Sequence, residues 1–283
     1  MKFGILAWVA AHTADVATVA RKCEAVGFES FFMAEHAVMP VHIATRLPRG
    51  DGKIPDVYAH MMDPFVSLAV AAAVTNRMKI GTGICLVPER DPKVLAKEVA
   101  TLDLVSGGRF IFGIGAGWLI EESRVMGVNF RRRWDLTLEC IRAMKELWTK
   151  PEAAFEGEFV KFAAIRSNPK PVQKPHPPVH IGASGDRALR NTVAIGDGWA
   201  PISLSPAQMT EELGKLRRMC DEAGRDFTQM EITIYGPVGG KEPRRAIEEY
   251  AEAGVHRLVL MNASLAPDKY EREIDDFARK WIE

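Results

Sequence analysis

An imidazole is the side chain best suited to exchange protons near neutral pH. One histidine of this chain stands where such a group would be useful. His36 follows an apolar, β-rich run at residues 30–34, and Glu35 beside it could orient or bias the ring. A structural histidine, hydrogen-bonded at a strand end, is the competing reading. His42 and His60 fall in the long polar stretch that follows, and His176 in a proline-rich connector. A second candidate is the loop Gly182-Ala183-Ser184-Gly185-Asp186-Arg187, which opens straight into a helical pattern. Successive backbone N–H groups, the positive end of the helix and the Ser184 hydroxyl would form an anion site there. A tight turn with a cap explains the same residues. Trp8, Trp118 and Trp199 each fall at the end of a predicted strand. Together they could wall an apolar pocket for a flat ring, while any one of them alone fits ordinary core filling. The run GIGAGW at residues 113–118 lacks the spacing and the downstream acid of a dinucleotide fingerprint. No H-x-H, H-E-x-x-H or Asp/His cluster supports metal-dependent hydrolysis.

The elements that must position these residues are clearest between residues 78 and 118. Residues 79–86 are β-rich, with glycines at 81 and 83 where a backbone bends or a ligand comes close. Asp91 and Pro92 open a helix whose apolar residues Val94, Leu95, Val99, Leu102 and Val105 recur at helical spacing. Ser106-Gly107-Gly108 ends it, and residues 109–114 form the next strand, which runs into Gly113, Gly115 and Gly117. This is one βαβ unit. Arg109 opens its strand at the opposite end from the glycines and reads as structural. The remaining pattern predicts strands at 3–8, 30–34, 178–182, 198–202, 231–235 and 257–261. Helices are predicted at 14–26, 63–75, 131–148, 186–195, 206–223, 243–253 and 267–282.

Eight strands and eight helices in strict alternation are most economically closed into a (β/α)8 barrel, which covers both faces of every strand and leaves no edge. An open doubly wound sheet is the alternative. Two segments break the rhythm. Residues 35–62 are too long for an ordinary βα loop and read as a functional or lid segment. Residues 150–178 carry a hairpin, FEGEFVKF, and then a proline-stiffened connector into the fifth strand. In a barrel, active groups sit at the carboxyl ends of the strands. That rule gathers Glu35, His36, residues 83–85, residues 115–118, residues 182–185 and Trp199 at one mouth. Arg131, Arg132 and Arg133 read as a solvated helix start, from which one could reach a carboxylate or a ligand phosphate.

Length and composition are consistent with this picture. The chain has 283 residues, 47% of them hydrophobic, which is ample for one large α/β domain over residues 1–283. Lys+Arg and Asp+Glu both number 37, so nothing in the net charge argues for nucleic acid or a membrane surface as a partner. Cys23, Cys85, Cys140 and Cys220 are widely spaced and read as buried thiols in a reducing cytoplasm. No apolar run approaches the ~20 residues that span a bilayer.

The run TGICLVPERDPKVLAKEVATLDLVSGGRFIFGIGAGW closely resembles a signature of the bacterial luciferase-like monooxygenase superfamily. NPKPVQKPHPPVHIGASGDRALRNTVAIGDGWAP resembles its second signature, RRRWDLTLECIRAMKELW its long helix and FEGEFVKF its hairpin. The resemblance implies a (β/α)8 barrel that binds coenzyme F420 or, alternatively, FMN. It implies that Glu35 and His36 lie near the reactive ring face, as in F420-dependent members. It also implies that Gly83 and Ile84 form a non-prolyl cis peptide behind the ring, and that Gly117 and Trp118 border the pocket. Ser184, Gly185, Arg187 and Ala188 match the loop that holds the cofactor phosphate. Trp118 stands where sugar-phosphate dehydrogenases of the F420 group carry a catalytic glutamate. Ala116 stands where FMN-binding members tend to place a phosphate-binding arginine. The expected activity is therefore hydride transfer between F420 and a small organic substrate. The alternatives are reduced-FMN-dependent monooxygenation and a non-catalytic cofactor-binding protein. A phosphate-binding lyase or isomerase would need a catalytic lysine or a carboxylate pair at a strand end. Relatives of this kind are often dimers, so a homodimer is expected.

Overall fold

The computed structural model describes residues 1–48, 51–236, 243–262 and 265–282. Residues 49–50, part of the predicted long loop, lie outside the described residues. Strands β1 (Lys2–Ala7), β2 (Ser30–Met33), β3 (Lys79–Thr82), β4 (Cys85–Leu86) and β5 (Phe110–Gly115) come first. A hairpin, β6 (Ala153–Glu156) and β7 (Lys161–Ile165), stands apart from the main sheet. The remaining strands are β8 (Val179–Ile181), β9 (Gly198–Trp199), β10 (Glu231–Gly236) and β11 (Arg257–Asn262). Parallel pairing runs β3-β2-β1-β11-β10-β9-β8-β5-β4, and β3 pairs with β5 to close the ring. Since β3 and β4 are two pieces of one stave, the barrel has eight, as the sequence predicts.

Those two pieces meet at Gly83-Ile84, where the peptide bond is cis. The register changes there. Gly81 faces Ile111 and Cys85 faces Ile114, so four steps along this stave match three along β5. One residue is extra, as in a bulge that redirects a strand at a barrel rim. The predicted sixth strand, residues 198–202, is shorter than expected. After Trp199 the chain contains Pro201, which has no N–H to give, and a single bridge, Ile202 to Tyr235, continues the pairing.

Helices α1 (Val16–Ala25), α2 (Pro64–Val74), α3 (Pro92–Val105), α4 (Ile120–Val125), α5 (Arg133–Thr149), α6 (Asp186–Ile195), α7 (Pro206–Glu222), α8 (Pro243–Ala253) and α9 (Tyr270–Trp281) fill the intervals. Asp63 and Asp91 cap α2 and α3 by accepting from Val66 N–H and from Lys93 and Val94 N–H, each with proline at the first turn. The short α4, directly after the glycine loop, was not expected. Among the described residues no helix is long and apolar enough to cross a membrane.

Burial separates two layers. Outward residues of the strands pack with the helices in one large core that includes Ile5, Phe31, Ile80, Phe110, Leu147 and Ile274. Inside the barrel, Leu6, Phe32, Ile111, Ala200, Tyr235 and Val259 form a second cluster, with Trp8, Ala34 and Met261 packed above it. Strand alternation explains the division, because residues i and i+2 share one face. Arg109 belongs to the far end, as expected. Its guanidinium donates to the carbonyls of Ala72, Met78 and Ser106 and to Thr75 Oγ1, tying α2 to β3.

Candidate active site

Glu35 and His36 leave β2 together but serve different neighbours. Glu35 is buried, accepting from Leu86 N–H at 2.6 Å and from Arg90 Nε at 2.7 Å. Arg90 also reaches Asp63 at 2.7 Å and Glu98 at 3.2 Å. The carboxylate thus anchors the segment that follows Gly83-Ile84 and, contrary to what its adjacency in sequence suggests, does not orient His36. That task falls to Glu122 on α4, whose Oε2 lies 2.6 Å from His36 Nδ1. Both side chains are nearly closed to solvent, at 6% for His36 and 1% for Glu122. A bond at Nδ1 leaves Nε2 as the nitrogen that can exchange a proton with a bound molecule.

The imidazole sits in an aromatic box. Its ring stacks on Tyr58 with centroids 4.9 Å apart, and meets Trp118 edge-on at 5.8 Å. Tyr58 meets Trp8 edge-on at 5.7 Å. Tyr58 belongs to a 3-10 turn, Asp56–His60, within the long loop, which therefore folds back over the mouth. Two ties hold it there: Met62 N–H donates to the carbonyl of Val9, and Ala44 and Thr45 N–H donate to Glu121 on α4. Trp199 departs from expectation. It is fully buried, with Nε1 donating to the carbonyl of Ala183 at 2.8 Å, so it braces the loop before α6 and does not line the aromatic box.

Gly83 and Ile84 are half-buried at the base of the mouth. A Cβ on Gly83 would meet Leu6 Cδ1 and the Tyr235 ring at 3.0 Å. The Ile84 side chain rests where side chains of Gly115 and Gly182 would otherwise be. A Cβ at those positions would lie 1.9 Å from Ile84 Cδ1 and 2.3 Å from Ile84 Cγ2. The glycine that ends β5 and the one that follows β8 thus make room for Ile84, and through it shape the floor of the pocket. Gly117 adopts φ +79°, a conformation that favours glycine.

Across the mouth, Gly185 has φ +85° and α6 begins at Asp186. Ser184, Gly185 and Arg187 are exposed, while Ala188 is buried and offers only its backbone, whose N–H is bonded to the carbonyl of Gly185. Arg187 pairs with Asp135 at 2.7 Å, and Arg132 grips the other oxygen of that carboxylate. Arg133 lies over the Phe130 ring, 3.7 Å from its centroid, and donates to the carbonyl of Gly117 at 3.0 Å. Burial, with the nearby charge of Arg187 adding, pushes the Arg133 guanidinium's pKa down. Two cations beside a helix N-terminus form a region that favours an anion.

Residues 1–280 match the family described as luciferase-like monooxygenase. The chain belongs to that family. Within it, the chain is similar to an uncharacterized protein of Mycobacterium tuberculosis, 35% identical over 284 residues that cover 99% of this chain and 98% of the other. It is also similar to the F420-dependent glucose-6-phosphate dehydrogenase of Kineococcus radiotolerans, 28% identical over 94% of this chain and 78% of the relative. Among solved structures it resembles the monooxygenase RslO1 of Streptomyces bottropensis, with TM-score 0.78, 21% identity and coverage of 100% and 99% of the two chains. That likeness shows the luciferase-like barrel fold. The family comprises oxidoreductases and monooxygenases.

Four residues of the candidate site escape the sequence reading: Tyr58, Glu89, Arg90 and Glu122. One of them, Glu122, had a signal. Glu121 and Glu122 stand in the first turn of a short helix, where acids favour the dipole, and Gly127 with φ +75° follows its end.

Proposed function

We propose that this protein is an F420-dependent oxidoreductase that moves a hydride between the deazaflavin and a small organic substrate, with His36 handling the accompanying proton. The observation that carries the reading is His36 itself: fixed through Nδ1 by a buried carboxylate, stacked on Tyr58 and edged by Trp118, at the mouth of the barrel. The residues present suit a flat ring with an anionic tail. Ile84, Leu6 and Tyr235 offer an apolar floor, and Ser184, Gly185, Arg187 and Arg133 would hold the phosphate. When bound, the deazaflavin supplies a ring carbon that gives or takes a hydride. Glu122 holds the imidazole in one orientation, the aromatic box keeps bulk water from it, and Nε2 gives or takes the proton. The indole of Trp118 occupies the place of an acid in sugar-phosphate dehydrogenases, which favours a small, less polar substrate.

The second reading is reduced-FMN-dependent monooxygenation, supported by the likeness to a monooxygenase. Against it, Ala116 is buried and brings no charge where FMN-binding members place an arginine. The reading includes a homodimer in the cytoplasm. The homodimer is supported by exposed apolar residues on α2 and α3, among them Val66, Val70, Val94, Leu104 and Val105. Fluorescence titration of apo protein with F420 and with FMN tests the cofactor. Saturable binding that prefers F420 is expected. Preference for FMN would transfer the argument to the second reading, and binding of neither would sink both.

A further inference from the structure

Three carboxylates converge beneath His36 and Trp118. Glu35, Glu89 and Glu122 are 5%, 9% and 1% exposed. Glu35 is matched by Arg90 and by Leu86 N–H. Glu122 binds His36 through Oε2, but its Oε1 has no hydrogen-bond partner among the described residues. Glu89 closes the 3-10 turn after β4, Val87–Glu89, and lies under Gly117. Its Oε1 is 3.3 Å from the hydroxyl of Ser123, the residue after Glu122, and its Oε2 also has no partner. Two ionised carboxylates with orphaned buried oxygens are unfavourable twice over, by desolvation and by repulsion. One proton removes a charge and turns an orphan acceptor into a donor.

We propose that Glu89 is held as the neutral acid beside an ionised Glu122, and that this pair sets the charge of His36. While Glu89 keeps its proton, Glu122 alone biases the imidazole. When Glu89 ionises, the added negative charge tightens the imidazole's hold on its own proton. Both glutamates are positioning residues, since neither needs to touch substrate. The inference rests on His36 as the acid/base group for its bearing on catalysis, but the coupling itself exists without cofactor.

Burial, with the charges of Glu122 and Glu35 adding, pushes the Glu89 carboxyl up to about 8. Glu35 acts on Glu89, and His36 on Glu122. Around them stand Cys85 and Arg90, with Asp63 and Glu98 paired to Arg90, Glu121 beside Glu122 on α4, and Arg133 bonded to the carbonyl of Gly117. Burial and the charge of Glu35 push the Cys85 thiol up, so it stays neutral. Arg90 is taken by Glu35, Asp63 and Glu98, and Arg133 by the carbonyls of Gly117 and Phe130. Neither guanidinium bonds to Glu89 among the described residues. In a turnover the proton leaving Nε2 passes to the substrate atom that gains negative charge, its N–H electron pair stays on the ring, and Nδ1–H remains with Glu122.

The test follows the imidazole in apo protein by NMR, between about pH 5 and about pH 10. The His36 signals of the wild type should deflect a second time, where Glu89 ionises. E89Q should lose that deflection. S123A removes a donor that favours the ionised acid, and should move the deflection to higher pH, so the test survives if E89Q does not fold. His36 curves that superimpose on the wild type in both variants overturn the pair. Steady-state turnover against pH gives the second arm. An alkaline limb that shifts in E89Q supports the coupling in catalysis. If the NMR deflection vanishes while turnover is unmoved, the pair stands and His36 as the acid/base group falls.

Discussion

His36 takes its orientation from a carboxylate 86 residues further along the chain, and its nearest charged neighbour in sequence serves a structural end. The distinction matters for mutagenesis. Glu35 holds the turn after β4 in place, so its removal would act through the shape of the floor. His36 is packed by rings and a single carboxylate, so truncating it should leave the pocket standing. His36→Ala is therefore expected to keep cofactor binding, while turnover falls by about 10²–10⁴-fold, the usual contribution of a positioned acid/base group. Fluorescence titration beside steady-state rates checks both halves, and unchanged turnover would make His36 a structural residue. His36 could be found from its residue type and its place at a strand end. Glu122 could not, because hydrogen-bonding partners on separate elements carry no spacing rule.

At the scale of elements, the glycines of β5 and the one after β8 show how strands build a floor. Gly113 faces a neighbour that cannot give way: a Cβ there would lie 2.1 Å from the carbonyl oxygen of Thr82, whose hydroxyl in turn donates to the carbonyl of Gly113 at 2.6 Å. Gly113→Ala should lower stability by about 1–3 kcal/mol, the range for overpacking a filled core. At Gly236 a Cβ meets nothing within 4 Å among the described residues, so Gly236→Ala should cost much less. Denaturant unfolding of the two variants measures the contrast, and equal losses would refute the close approach at Gly113. The strand-helix alternation and the caps at Asp63 and Asp91 were readable because they obey local rules. The break at Gly83-Ile84 and the helix α4 were not. A register slip is defined against a neighbouring strand, and a six-residue helix has too few turns to show a period.

Across the whole molecule, the end of the barrel opposite the mouth is closed by charge. Arg257 is fully buried and bonds Glu29 at 2.8 Å and Glu231 at 3.0 Å. Burial alone would raise the carboxyl of Glu231, but Arg257 holds it well below the usual carboxylate range. His180, also buried, lies 3.5 Å from Glu231, and burial pushes its pKa down to about 4. An unfolded histidine binds its proton near pH 6.5, about where the native one still refuses it. Stability is therefore lost as pH falls from about 6.5 to about 4, and the Glu231 contribution follows only below the ordinary carboxylate range. Melting temperatures of wild type and His180→Gln across that window should diverge, with the variant losing less; parallel curves would contradict the buried, neutral imidazole.

The sequence by itself determined the barrel, the caps and the strand ends at which His36, Gly83, Trp118 and Ser184 appear, since local propensity and alternation are properties of neighbouring residues. Only the tertiary structure decided which groups meet. It paired His36 with Glu122, buried Trp199, filled the glycine floor with Ile84 and set Glu89 beside a second carboxyl. Closing eight staves into a ring brings distant segments to one mouth at fixed register, and burial there changes what each side chain can do.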